Sequence, residues 1–182
     1  MRTADADILL VPGKGDAGPD HWLSRWEAKL PTARRVVQEE WQTPDLEAWS
    51  GRIAAAVGEA TRPVILVAHG LGVLAVVHAG ARLEGKVAGA FLVTPPAPAR
   101  LRAAAGAEAG FAGMAHTPLP FPAVLVASRD DPAADYADLE ALAAAWGVTL
   151  ADAGAAGGID AASGHGPWPE GLMRFAGFLK GL

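Results

Sequence analysis

From Val64 to Ala81 the chain carries no formal charge. A stretch of that kind is either a membrane span or two buried elements in succession. Its interior decides: His69, Gly70, Gly72 and His78 break the apolar run, with β-branched residues before them and an Ala-rich stretch after. This reads as a buried strand turning sharply into a buried helix. The rest of the chain repeats the theme. Short apolar runs at Ile8–Val11, Arg35–Val37, Val64–Ala68, Ala88–Val93, Ala123–Ala127 and Thr149–Ala151 alternate with helical patterns over Asp20–Lys29, Leu46–Glu59, Leu71–Leu83, Tyr136–Ala145 and Pro169–Lys180. Such alternation predicts an α/β fold, a three-layer αβα sandwich with a mostly parallel sheet. Residues 1–182 are read as a single domain, with segment 95–122, rich in Pro, Ala and Gly, as a lid after a strand's carboxyl end or an ordinary long connection. Within it a short helical piece is expected at Ala99–Ala105, followed by the apolar loop Phe111–Pro120.

Composition excludes several classes of function. The net charge is -5 and the fifteen Lys and Arg are scattered, so nothing offers a phosphate backbone a basic stripe. Neither nucleic acid nor membrane is an expected partner; a small-molecule substrate or ligand is, and a homodimer is allowed. Cysteine is absent, which removes disulfides and thiolate metal sites. The five histidines and the carboxylates form no HExxH pattern and no compact ligand spacing, so no metal and no cofactor are expected. The first apolar run, Ile8 to Pro12, is too short for a signal-peptide core, and a cytoplasmic location is expected.

The segment VILVAHGLGVL, Val64 to Leu74, has the make-up of a nucleophile elbow, in which a strained residue between strand and helix presents its side chain at the helix N-terminus while small neighbours let the two elements approach. The residue at the apex is Gly70, which adopts that backbone easily but presents no reactive atom.

Four stretches taken in order, LLVPGKGDAGPDHWLSRWE, VAHGLG, VASRDDP and GGIDAASGHGPWPEG, resemble the small YdeN-like serine hydrolases, the family that includes retinoblastoma-binding protein nine. The resemblance runs from Leu9 to the C-terminal helix and implies a minimal α/β-hydrolase fold. It also implies a triad whose serine stands where this chain has Gly70, whose acid is Asp131, and whose histidine stands where this chain has Gly158. Only the acid matches. Without a hydroxyl and an imidazole, acyl-enzyme chemistry is not expected.

The other departures from the family pattern fall on loops at the same end of the expected sheet. Lys14 follows Val11-Pro12-Gly13, in the loop that supplies an oxyanion N–H in this fold; it is read as a binder of a substrate carboxylate or enolate, as an amine made reactive by burial, or as a solvated loop lysine. Asp131 is read as a general base freed from its histidine, or as a relic held by backbone amides. Asp160 is a substitute proton acceptor or the cap of a turn. His165 either swings to the pocket or stays exposed, and Asp16 is a site residue or a turn residue. The backbone at Gly70, Leu71 and Gly158 completes the expected substrate-binding set. His69 and His21 are read as structural, with Asp20 capping the first helix, and His116 is left open within the lid. Trp22, Trp26, Trp41 and Trp146 are expected in the core, Trp168 to anchor the last loop, and Trp49 to face either way.

Three functions follow from these residues. The first is a repurposed enzyme in which Asp131, with Lys14 or a histidine, moves protons while the old oxyanion donors stabilise an enolate-like or alkoxide-like charge, in a cyclase, isomerase or lyase step. The Ala-, Gly- and Arg-rich composition suggests a GC-rich bacterial genome and, with it, specialised metabolism. The second is a non-catalytic binding protein built on a hydrolase pocket. The third is residual hydrolysis by a water that Asp131 or Asp160 activates.

Overall fold

The computed structural model describes residues 1–83, 85–114 and 116–182. Six strands, β1 (Asp7–Val11), β2 (Ala33–Arg35), β3 (Val64–His69), β4 (Val87–Val93), β5 (Ala123–Ala127) and β6 (Thr149–Asp152), form one sheet in the order β2-β1-β3-β4-β5-β6. Every pairing is parallel, so the expectation of a mostly parallel sheet is met without an antiparallel edge. All five residues of β1, and all of β3 up to His69, are buried. Both faces of these strands are covered, which is why they read as continuous apolar runs rather than as alternating ones.

On one face Leu9, Val11, Leu66 and Ala68 meet α2 (Leu46–Gly58), α3 (Leu71–Ala79) and α5 (Tyr136–Trp146). On the other, Ile8, Leu10, Ile65 and Val67 meet α1 (Trp22–Lys29) and α6 (Pro169–Lys180) through Trp22, Trp26, Trp168 and Phe175. Trp26 lies flat against Trp168, centroids 6.0 Å apart and planes 14° apart, and Trp22 meets Trp168 edge-on at 4.9 Å. The last loop is therefore anchored by Trp168, and Trp49, 1% exposed, faces the core.

Several boundaries differ from the sequence expectation. The second strand ends where Arg35–Val37 was expected to begin and carry on, because Ile8, Leu9 and Leu10 align with Ala33, Arg34 and Arg35 and leave Val37 61% exposed. The first helix starts at Trp22, not Asp20: His21 caps it, its Nδ1 accepting the Leu23 N–H at 3.1 Å. The third helix turns into a 3-10 segment at Gly80. The expected lid contains α4 (Pro98–Ala104) and a 3-10 turn, Ala107–Gly113, anchored by Phe111, which is fully buried against Trp49. The expected apolar loop Phe111–Pro120 includes Ala115, which lies outside the described residues. Among the described residues no helix is long and apolar enough to cross a membrane.

Candidate active site

The chain runs from β1 to β2 in one direction and then to β3 on the opposite side, so the strand order reverses between β1 and β3. Ligands of open parallel sheets bind beyond the carboxyl ends of the strands at such a point. Here the loop after β1 and the turn after β3 touch. A Cβ at Gly13 would sit 3.3 Å from the His69 carbonyl oxygen and 3.4 Å from the Leu71 nitrogen. Below the turn Gly72 has no room at all, since a Cβ there would lie 2.4 Å from the Pro12 carbonyl oxygen and 2.7 Å from that of Val11. Strand and helix can approach this closely only over glycine.

Gly70 stands at the apex with φ +56 and ψ -129, the N-cap of α3, its N–H bonded to the Val93 carbonyl at 3.0 Å. A Cβ at this position would meet nothing nearer than the Gly13 Cα at 4.0 Å. The turn thus has the elbow's backbone, with open space where an elbow carries its reactive side chain. Leu71 opens the helix, so its N–H is one of the first-turn amides that α3 itself leaves without an acceptor.

Around this turn lies a cavity of about 370 Å³, within the range of small-molecule sites. Lys14, Asp16, Gly70, Leu71, Asp131, Gly158 and Asp160 all line it, so all but one of the candidate residues come together from four loops. The exception is His165. Its Nδ1 is 2.9 Å from the Ser163 Oγ, its N–H bonds the Asp160 carbonyl, its carbonyl accepts the Trp22 N–H, and its ring meets Trp168 edge-on. Those bonds tie it to the base of α1, outside the cavity wall. His116 is exposed and also lies outside it.

Asp131 is the most unusual group. It follows β5, is 7% exposed, and one oxygen accepts the Ala133 N–H at 2.9 Å. The other oxygen, Oδ2, is buried without a hydrogen-bond partner. Burial pushes its carboxyl up to about 6; the Ala133 amide pulls it back, and repulsion from Asp160 adds to the rise.

Asp160 caps its turn and lines the cavity. Its Oδ1 accepts the Ser163 N–H at 2.9 Å, which caps the turn. Its Oδ2 faces the backbone of Gly158, where a Cβ would come within 2.8 Å of it. The carboxylate crosses the path that a side chain at 158 would take. Burial works to raise Asp160, but its bonds to Ser163 outweigh this and hold it below the usual carboxylate range.

The loop carrying Gly158 is pinned from several sides. The Gly158 carbonyl accepts from the His69 Nε2 at 2.8 Å and the Thr94 Oγ1 at 3.1 Å, the Ile159 carbonyl accepts the Trp22 Nε1–H at 2.8 Å, and Asp130 accepts the Gly157 N–H at 2.8 Å. Because a carbonyl only accepts, His69 carries its proton on Nε2. His21, whose Nδ1 accepts from Leu23, carries its own there too. The rings are 4.8 Å apart. Burial, and next the neighbouring His69, push His21 down to about 3, and burial also lowers His69, so at neutral pH both rings are uncharged.

Two basic side chains near the cavity are already paired. Lys14 is in contact with Glu108, from the 3-10 turn Ala107–Gly113. Arg35 bonds Asp16 at 2.8 Å and Glu27 at 2.8 Å. Lys14, half exposed, and Asp16 thus line the cavity with ion-pair partners already in place. Sequence reasoning missed Glu108 and gave His21, His69 and Thr94 no place in the wall. A lone carboxylate within an Ala- and Gly-rich apolar segment was the available signal for Glu108.

A serine hydrolase family model matches residues 8–177. The chain is similar to the structure of a protein described as a YdeN-like hydrolase from Pectobacterium atrosepticum, with 35% identity, a TM-score of 0.86, and coverage of 97% of this chain and 91% of that one. It is also similar to the ydeN gene product of B. subtilis, at 18% identity and a TM-score of 0.78, covering 96% and 99%. A hydrolase of the α/β superfamily from Xanthomonas campestris matches at 18% identity and a TM-score of 0.66 over the full length of both chains. The last two likenesses speak for the fold alone. No curated protein is similar to the chain by sequence.

Proposed function

The chain belongs to the serine hydrolase family, with the α/β-hydrolase fold of YdeN-like proteins, and from that premise we propose that it no longer works by a serine nucleophile and instead performs acid/base chemistry on a small molecule. The observation that carries this reading is Asp131, which lines the cavity and whose buried Oδ2 has no hydrogen-bond partner. In a working triad that oxygen would bond the histidine. The motif resemblance puts the family's serine and histidine at positions that are Gly70 and Gly158 here.

A carboxyl that titrates at about 6 is ionised at neutral pH and remains a stronger base than an ordinary aspartate. In the same cavity wall, the Leu71 N–H and the backbone of the Gly13–Lys14 loop would serve as donors to a developing oxyanion. A base and an oxyanion site without a nucleophile suit enolisation, elimination or ring closure, the isomerase, lyase and cyclase classes. Lys14 and Glu108 close the mouth as a pair and contribute backbone position rather than a free ammonium. The composition fits a bacterial enzyme of specialised metabolism.

The test is to incubate wild type and Asp131→Asn in parallel with a metabolite extract and to follow compounds over time by mass spectrometry. The reading expects a compound to be converted by the wild type and only bound by the variant. Retention of the same unchanged compound by both proteins would support a binding protein instead. Ester cleavage insensitive to serine-directed phosphonates would support water activated by Asp131 or Asp160.

A further inference from the structure

Two histidines stand in the cavity wall, each with one ring nitrogen still free. His21 uses its Nδ1 to cap α1, accepting the Leu23 N–H at 3.1 Å, so its proton is on Nε2. His69 donates its Nε2 proton to the Gly158 carbonyl at 2.8 Å, which leaves a lone pair on Nδ1. The wall therefore offers one donor and one acceptor, on rings whose centroids are 4.8 Å apart.

Among the described residues neither free nitrogen has a hydrogen-bond partner, and neither is sealed: the unpartnered side-chain atoms cut off from solvent are the Asp131 Oδ2 and the Trp146 Nε1. His21 is only 7% exposed and both residues line the cavity, so these nitrogens open into it. Both rings pack against Trp22, with centroids 5.5 and 5.9 Å from it, and burial keeps both uncharged at neutral pH. Neither can exchange donor for acceptor without losing its bond to the backbone. A carbonyl or a carboxylate placed here would leave the His69 lone pair unmatched, and an ammonium would face the His21 proton. A hydroxyl, which donates and accepts through one atom, matches both.

We propose that the ligand of this cavity carries a neutral hydroxyl on an apolar body, its oxygen accepting from the His21 Nε2–H and donating to the His69 Nδ1. Ala17, Leu71, Pro96, Leu101 and Pro132 supply the apolar walls. This assignment rests on the reading of the cavity as the active site and names the class of molecule that site would take, an apolar alcohol or phenol. It does not need Asp131 to act as the base. It replaces the expectation that Lys14 draws in a carboxylate, because Glu108 already occupies that ammonium and the carboxylates of Asp131 and Asp160 in the same wall repel an anion.

Three probes of similar shape test this: benzyl alcohol, benzyl methyl ether and benzoate, each titrated at about pH 7.5 into protein labelled with ¹⁵N at histidine and followed by long-range ¹H–¹⁵N spectra of the rings. We expect the alcohol to bind at least about tenfold more tightly than the ether, which has no proton for His69 and leaves that lone pair buried and unpaired. Benzoate should bind most weakly. The alcohol should move the His21 Nε2 and His69 Nδ1 resonances and leave the backbone-bonded nitrogens of the two rings in place. His21→Ser keeps a capping oxygen for α1 and should weaken the alcohol by about tenfold; if that variant does not fold, the wild-type affinities and spectra decide alone. An ether as tight as the alcohol, tighter binding of benzoate, no binding of the alcohol up to its solubility, or alcohol binding that leaves both free nitrogens unmoved would overturn the proposal. If the alcohol preference is absent while Asp131→Asn still abolishes conversion in the extract, this inference fails and the proposed function stands. The preference without any conversion keeps the hydroxyl site and sinks the function.

Discussion

At the scale of single residues the site turns on how Asp131 and Gly70 differ from ordinary positions of their type. Asp131 titrates at about 6 in the fold and near 4 in an unfolded chain, so between those values the native protein holds the extra proton. Stability therefore falls as pH rises through that window. Asp131→Asn, which keeps an acceptor for the Ala133 amide, removes that slope and is expected to stabilise the protein by about 1–2 kcal/mol at neutral pH, measured by urea unfolding at several pH values. In the same carboxyl the sign is opposite for turnover, which needs the ionised form and should rise with pH through about 6. Gly70 has space for a hydroxymethyl group but a positive φ, so Gly70→Ser should cost about 1–2 kcal/mol and give no ester turnover above background. A serine alone lacks the base that takes its proton, and a p-nitrophenyl ester assay reads this directly. Asp131, Gly70 and Asp160 were legible in the sequence because each sits within or beside a motif. Glu108 was not, since its meeting with Lys14 depends on how the 3-10 turn folds back over the cavity, and no local pattern encodes that.

Among the elements, α3 and the carboxyl end of β1 make the site by approaching each other more closely than side chains allow. Gly72 is where that approach is tightest, against the carbonyls of Val11 and Pro12. Gly72→Ala should lower stability by about 3 kcal/mol or more, because the obstructing atoms are backbone and cannot rotate away; a thermal melt of the variant checks this. The contrast with Gly70 is physical: one glycine is required by contact, the other by conformation. Long elements such as α6 were read from the sequence to within their ends, because apolar period and a proline at the first turn agree. Short ones were not. The extent of β2 is set by its register with β1, and the start of α1 by a histidine whose ring replaces the side-chain oxygen of a usual cap. Neither depends on local propensity.

For the molecule as a whole, the sheet order places five loops around one cavity, and the charges on those loops decide its use. The parallel sheet was legible because buried strands leave unbroken apolar runs, as at Val64–His69. The pairing of Lys14 with Glu108 and of Arg35 with Asp16 was not, because each joins residues far apart in the chain. Lys14→Met should shift overall stability by less than about 1 kcal/mol in chemical denaturation, since a half-exposed ion pair contributes little. The claim on which everything else rests is that Asp131 is a buried carboxylate whose Oδ2 has no hydrogen-bond partner. Its titration can be followed by NMR in protein labelled with ¹³C at the aspartate carboxyls, the resonance being assigned by its loss in Asp131→Asn. A midpoint at about 6 is the predicted result; a midpoint near or below 4, the range of solvated or paired aspartates, would contradict it and leave the cavity without its base.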